Sequence, residues 1–170
     1  GTSAALKGVT DDQAVAAGVQ LMFCNTYHLM VHPGSEIVAA AGGLHRYMGR
    51  SGPIITDSGG FQVFSLAPKT DADGPELKAR SKSGNQATLT GVSEEGVRFR
   101  SYFDSSEILL TPESSVLAQK DLGGDIIIPL DELPPYHITR ERLAQSVRRA
   151  LAPLGLGLGL GLGLGLGLGL

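Results

Sequence analysis

Only one cysteine, Cys24, stands in the 170-residue chain. That excludes an internal disulfide framework and any multi-thiolate zinc site built from this chain alone. With no disulfide framework, an intracellular setting is expected. Positive charge is scarce too, with 14 Lys and Arg against 17 Asp and Glu, a net charge of −3. Binding of nucleic acid by bulk electrostatics is thereby excluded, and a nucleic-acid substrate would need locally placed cations. Gly1-Thr2-Ser3-Ala4 lacks a basic and apolar leader, so no targeting peptide is expected. Neither a phosphate-cradling P-loop nor a GxGxxG fingerprint occurs. His28, His32, His45 and His137 are scattered rather than set at metal-ligand spacing.

The last stretch, residues 154–170, alternates 9 Leu with 8 Gly and carries no other chemistry. Glycine at every second position costs roughly 1 kcal/mol per residue in a helix interior relative to Ala, which argues against a membrane span. It reads as a low-complexity tail, and the fold is sought in residues 1–153.

In that region, apolar runs end in polar residues and alternate with helix signals. Val19–Cys24 runs into Asn25, Pro53–Thr56 into Asp57, and Asp125–Leu130 into Asp131, which reads as three short buried strands. Thr10-Asp11-Asp12-Gln13 has the form of a capping box, with Gly18 as a stop. A second helix is expected from Ser35 to Ala41, ending at Gly42-Gly43. Thr111-Pro112-Glu113 opens a third with an N-cap, a first-position Pro and an acid at the positive end of the dipole, and Gly123-Gly124 closes it. A fourth starts at Thr139, with Leu143, Val147 and Leu151 along one face. The polar segment from about 67 to 91 breaks the rhythm and reads as a surface insertion, with a hairpin as one form it could take.

This alternation indicates an α/β domain with parallel strands, either a barrel or an open sheet. Both architectures place sites at the carboxyl ends of strands, which puts Asn25, Asp57 and Asp131 on one edge. In Thr56-Asp57-Ser58-Gly59-Gly60-Phe61-Gln62, Asp57 suits general acid/base work, Gly59 and Gly60 admit close backbone approach, and Phe61 offers a flat face to a planar ring. A capped turn with Phe61 in the core explains the same residues equally well. Asp131-Glu132 places two carboxylates after a strand, where one could accept from the N–H edge of a purine-like base or simply cap a helix. Cys24 reads as a buried small hydrophobe and His28 as structural.

Lys7-Gly8-Val9-Thr10, Cys24-Asn25-Thr26-Tyr27-His28-Leu29, His32-Pro33-Gly34, the stretch from Gly52 to Leu66, Gly96-Val97-Arg98-Phe99-Arg100 and Asp131-Glu132 follow one another in order. In this the chain resembles the queuine/preQ1 tRNA-ribosyltransferases, or tRNA-guanine transglycosylases, from residue 1 to about 150. The resemblance implies the first strands and helices of an irregular (β/α)8 TIM barrel. It implies a pentosyltransferase that exchanges guanine at the tRNA wobble position for a deazaguanine, queuine or preQ1. Asp57 then matches the proton-transferring aspartate, Phe61 the aromatic that stacks on the base, and Asp131 the carboxylate that reads the base edge. Ser58, Gly59 and Gly60 match the rest of the base pocket.

The family's covalent nucleophile, a second aspartate, and its Cys-Cys-Cys-His zinc ligands have no counterpart motif in this chain, and Leu133 stands where many members have Cys. A truncated enzyme that neither exchanges bases nor binds zinc by itself is therefore expected. Implied partners are tRNA, the exchanged bases, and a like or homologous subunit in a dimer, with no membrane and a cytoplasmic location. The rival readings are a non-catalytic accessory subunit that binds tRNA or a partner, and an unrelated barrel acting on a phosphorylated sugar. The retained Asp57 and Gly-Gly-Phe turn count against the first, and the missing phosphate loop against the second.

Overall fold

Thr10 accepts from the Gln13 N–H while Gln13 reaches back to the Thr10 N–H, and this capping box opens α1 (Asp11–Ala16). The structure is a computed structural model that describes residues 1–65, 88–92, 95–131 and 137–148. After α1 come β1 (Met22–Cys24), α2 (Thr26–Val31), α3 (Ser35–Ala40), α4 (Gly43–Met48), β2 (Ile54–Thr56) and α5 (Gly60–Ser65). β3 (Thr88–Val92), β4 (Val97–Arg100), β5 (Glu107–Leu110), α6 (Pro112–Leu122) and β6 (Ile126–Ile127) follow. A further helix runs over 140–148.

The fold is mixed α/β with a parallel sheet in the order β1-β2-β6. Met22, Cys24, Ile54 and Thr56 point to the helix-covered side and are buried. Cys24 and Ile54 build the first core with Ala4, Leu29, Val38, Leu44 and Leu122. Full burial of a leucine or isoleucine stabilises by about 1.5–3 kcal/mol relative to exposure. On the other face the register aligns Phe23, Ile55 and Ile126, and Phe23 and Ile126 remain 49% and 46% exposed.

Beyond the expected parallel strands stands a second sheet, β3-β4-β5, which is antiparallel. Residues 88–91, at the end of the stretch read as an insertion, lie in β3, and 66–87 fall outside the described residues. Val97 and Phe99 alternate with exposed Arg98 and Arg100 on β4, so one face of this sheet packs into a second core with Tyr27, Leu110 and Leu130.

The helix expected from Ser35 forms as α3 and stops before Gly42-Gly43; Gly42 takes a left-handed conformation, and a further helix, α4, starts at Gly43. Helix α2 was not expected; it forms after Asn25 because the Asn25 side chain accepts from the His28 N–H and caps it. One expectation needs correction: the third strand, expected over 125–130, is only two residues long. Asp125, expected in that strand, instead uses its carboxylate to accept from the Ile54 N–H at 2.8 Å and contacts His45 Nε2 at 3.0 Å. These charge-favouring hydrogen bonds hold the Asp125 carboxyl below the usual range.

The third helix forms as α6, with Thr111 as N-cap, Pro112 in the first turn and left-handed Gly123 as C-cap. Leu143 and Val147, expected to line one face of the last helix, are exposed. Leu151 and the Leu-Gly tail lie outside the described residues. Among the described residues no helix is long and apolar enough to cross a membrane.

Candidate active site

Cys24 pairs with Thr56 at the ends of β1 and β2, so the next residue of each strand, Asn25 and Asp57, emerges beside the other. Asn25 Nδ2 donates to Asp57 Oδ2 at 2.8 Å, and the Thr26 N–H donates to Oδ1 at 2.7 Å. Thr26 Oγ1 donates to the Asp57 carbonyl at 2.5 Å, fixing the backbone as well as the side chain. Burial pushes the Asp57 carboxyl above its ordinary value. Hydrogen bonds from Thr26 and Gly59 and the nearby His28 ring oppose that rise without cancelling it.

The turn after Asp57 is shaped by what surrounds it. Gly59 has φ +79°, and a Cβ there would sit 3.3 Å from the Tyr27 nitrogen. At Gly60 a Cβ would meet Leu130 Cδ1 at 2.7 Å and the Asp131 carbonyl at 3.2 Å. The glycines therefore let the Asp57 turn close against the segment after β6 that carries Leu130 and Asp131. Ser58 is buried, and its Oγ accepts from the Gly60 N–H at 3.3 Å. Phe61, in the first turn of α5, is 60% exposed, which removes the reading that places it in the core. Asp131 is half-buried, and its neighbours 132–136 lie outside the described residues. Asp57, Ser58, Gly59, Gly60, Phe61 and Asp131 are thus carried by two adjoining chain segments at one sheet edge.

Residues 1–154 match the family model for queuine tRNA-ribosyltransferase. The chain belongs to that family. Among curated queuine tRNA-ribosyltransferases it is 57% identical to that of Protochlamydia amoebophila over 149 residues, covering 88% of this chain and 38% of that protein. It is 54% identical to that of Chlamydia caviae over 148 residues, covering 87% of this chain and 38% of the relative. For Chlamydia abortus the identity is 57% over 136 residues, 80% of this chain and 35% of the relative. The chain thus spans under two fifths of the length of these queuine tRNA-ribosyltransferases.

A further cluster of side chains on α2 and the β4–β5 connection was not evident from sequence. His28 Nδ1 lies 3.1 Å from the Tyr102 hydroxyl, which the β4–β5 connection brings over α2. The Tyr27 and Tyr102 rings meet His28 edge-on and each other at a tilt, and Phe99 packs against Tyr27. Burial lowers the His28 value and lifts the Tyr27 phenol to about 12. Cys24, as expected, is buried, its thiol donating to Met48 Sδ at 3.8 Å, and burial raises its value. Among the described residues no group of three His, Cys, Asp or Glu side chains is placed to hold a metal ion.

Proposed function

We propose that this chain forms the base-recognising part of a tRNA-guanine transglycosylase that replaces guanine at the tRNA wobble position with a deazaguanine. The observation that carries the reading is Asp57, a carboxyl fixed by Asn25 and Thr26 at a strand end, with burial raising its proton affinity. A general acid/base works best when its pKa approaches the working pH, and burial moves Asp57 in that direction.

In the proposed reaction a second aspartate, from the part of the protein outside this chain, attacks the ribose C1′ and the bond to guanine breaks. The protonated Asp57 gives its proton to the departing base. The resulting carboxylate then takes the ring N–H proton of the incoming base, whose nitrogen attacks C1′ and releases the second aspartate. Exposed Phe61 offers the stacking face, and the Asp131 carboxylate accepts from the base edge, next to the close approach at Gly60.

The same reading extends to architecture. The uncovered Phe23, Ile55 and Ile126 face supports a partial (β/α)8 barrel whose remaining strands come from the rest of the protein. Zinc does not fit the residues here, since the only cysteine is buried against Met48, and a zinc site is proposed for the remainder alone. A tRNA substrate implies a cytoplasmic reaction, and dimer formation with a like or accessory subunit is part of the proposal.

The test is incorporation of radiolabelled guanine into tRNA by the full-length protein. Asp57→Asn should lower kcat at least about 100-fold, the scale of general acid/base catalysis. Exchange at the parental rate by Asp57→Asn would overturn the role of Asp57 and favour the accessory reading. Exchange by residues 1–170 alone would overturn the placement of the nucleophile outside this chain.

A further inference from the structure

Helix α6 packs an unusual pair of polar side chains into the interior. Ser115 and Gln119, four residues apart and on one face, are both fully buried. Gln119 Oε1 accepts from Thr56 Oγ1 at 2.9 Å and from the Ile128 N–H at 2.9 Å. Its Nε2 donates to the Ile128 carbonyl at 2.8 Å and to Ser115 Oγ at 3.3 Å. The Ser115 hydroxyl in turn donates to the Ser58 carbonyl at 2.7 Å.

The partners are telling. Thr56 and Ser58 flank Asp57, and Ile128 lies three residues before Asp131. β2 pairs with β6 only as far as Ile127, so a strand neighbour no longer serves the Ile128 backbone. Gln119 takes both the N–H and the carbonyl of Ile128, as the peptide group of an adjoining strand would. Its amide uses two acceptor and two donor positions at once, a full complement for this side chain. Neither Glu, which cannot donate when ionised, nor Met reproduces that set.

Resting on the base-exchange reading above, we propose that Ser115 and Gln119 are positioning residues that set the spacing between the Asp57 turn and the segment from Ile128 to Asp131. They touch no base. They hold the two segments between which a base is recognised, so their loss acts on base affinity through Asp57 and Asp131.

Steady-state exchange in the full-length protein tests this, using Ser115→Ala, Gln119→Met, the Asp57→Asn variant and a remote core variant, Leu44→Ala. Ser115→Ala and Gln119→Met should raise the KM for guanine about tenfold, by more than they lower kcat, because small misplacements of binding groups cost one to two orders of magnitude. Leu44→Ala should lower Tm and leave the KM for guanine unchanged. If Gln119→Met fails to fold, Ser115→Ala decides. Parental KM values in folded Ser115→Ala and Gln119→Met, with Asp57→Asn inactive, would leave the exchange reading standing and overturn the positioning role. No guanine exchange by the parental protein would overturn the exchange reading and the positioning role with it.

Discussion

Asn25 holds helix α2 with one end of its side-chain amide and Asp57 with the other. Oδ1 accepts from the His28 N–H at 3.2 Å while Nδ2 donates to Asp57 Oδ2 at 2.8 Å, so the helix cap and the acid share one planar group. A donor to a carboxylate favours its charged form, and removing it raises the pKa further. Asn25→Ala is therefore expected to shift the descending limb of the kcat/KM profile, on which protonated Asp57 is lost, upward in pH. A hydrogen bond to a charged group contributes about 1.5–3 kcal/mol, so the exchange rate near neutrality should change about tenfold or more. Rate profiles of the parent and Asn25→Ala across pH check this.

Stability should carry the signature of Asp57 in a defined direction. Its folded value is raised above the ordinary carboxyl value because burial disfavours the charge. The folded state then binds the proton more tightly than the unfolded chain does. The resulting contribution is fully present below the unfolded value and is lost as pH rises through the folded value. Urea midpoints of the parent and Asp57→Asn, measured across that acidic window, should change relative to each other, the parent losing ground as pH rises. A constant difference at all pH values would contradict this.

Cys24 should be chemically silent while the protein is folded. Its side chain is fully buried, burial raises the thiol value, and the thiolate is the reactive form. Alkylation by iodoacetamide at neutral pH should proceed only at the rate of unfolding, and addition of denaturant should restore ordinary labelling. Rapid labelling of the native protein would contradict the packing around β1.

Among the described residues Arg50, a buried cation, has one anionic partner: it donates to Asp11 Oδ1 at 2.7 Å and to the Gln20 carbonyl at 3.1 Å, and its Nε meets no acceptor there. Removing one half of a buried pair strands the other charge. Asp11→Ala should therefore destabilise by about 3–5 kcal/mol, read from chemical denaturation. Replacing Arg50 and Asp11 together with apolar residues should cost less than Asp11→Ala alone.

Features set by near neighbours in the chain were legible before any coordinates. The caps at Thr10 and Thr111 depend on residues within one turn, and both form as read. The end of β2 at Thr56, just before Asp57, was legible because a polar residue ending an apolar run marks a strand terminus; at Asp131 the same signal misled, since β6 ends at Ile127. α2 was not, since Thr26–Val31 is rich in β-branched and aromatic residues, and part of what anchors its start is Asp57, 31 residues from Thr26. β6 was overestimated in length because its backbone bonds pass from β2 to a glutamine side chain. Ser115 and Gln119 carried no local signal, because polar residues in a helix ordinarily face water.

β2 and β6 are parallel neighbours, so everything between Thr56 and Ile126 is one crossover connection. It contains α5, the antiparallel sheet and α6. The entropy of closing a connection grows only logarithmically, about 0.6 kcal/mol for each doubling of its length. Growth or loss of residues in 66–87 therefore has little leverage on the register of β2 and β6, which α6 secures downstream of that stretch. Changes in the length of that connection are expected to leave the parallel pairing of β2 and β6 as it is.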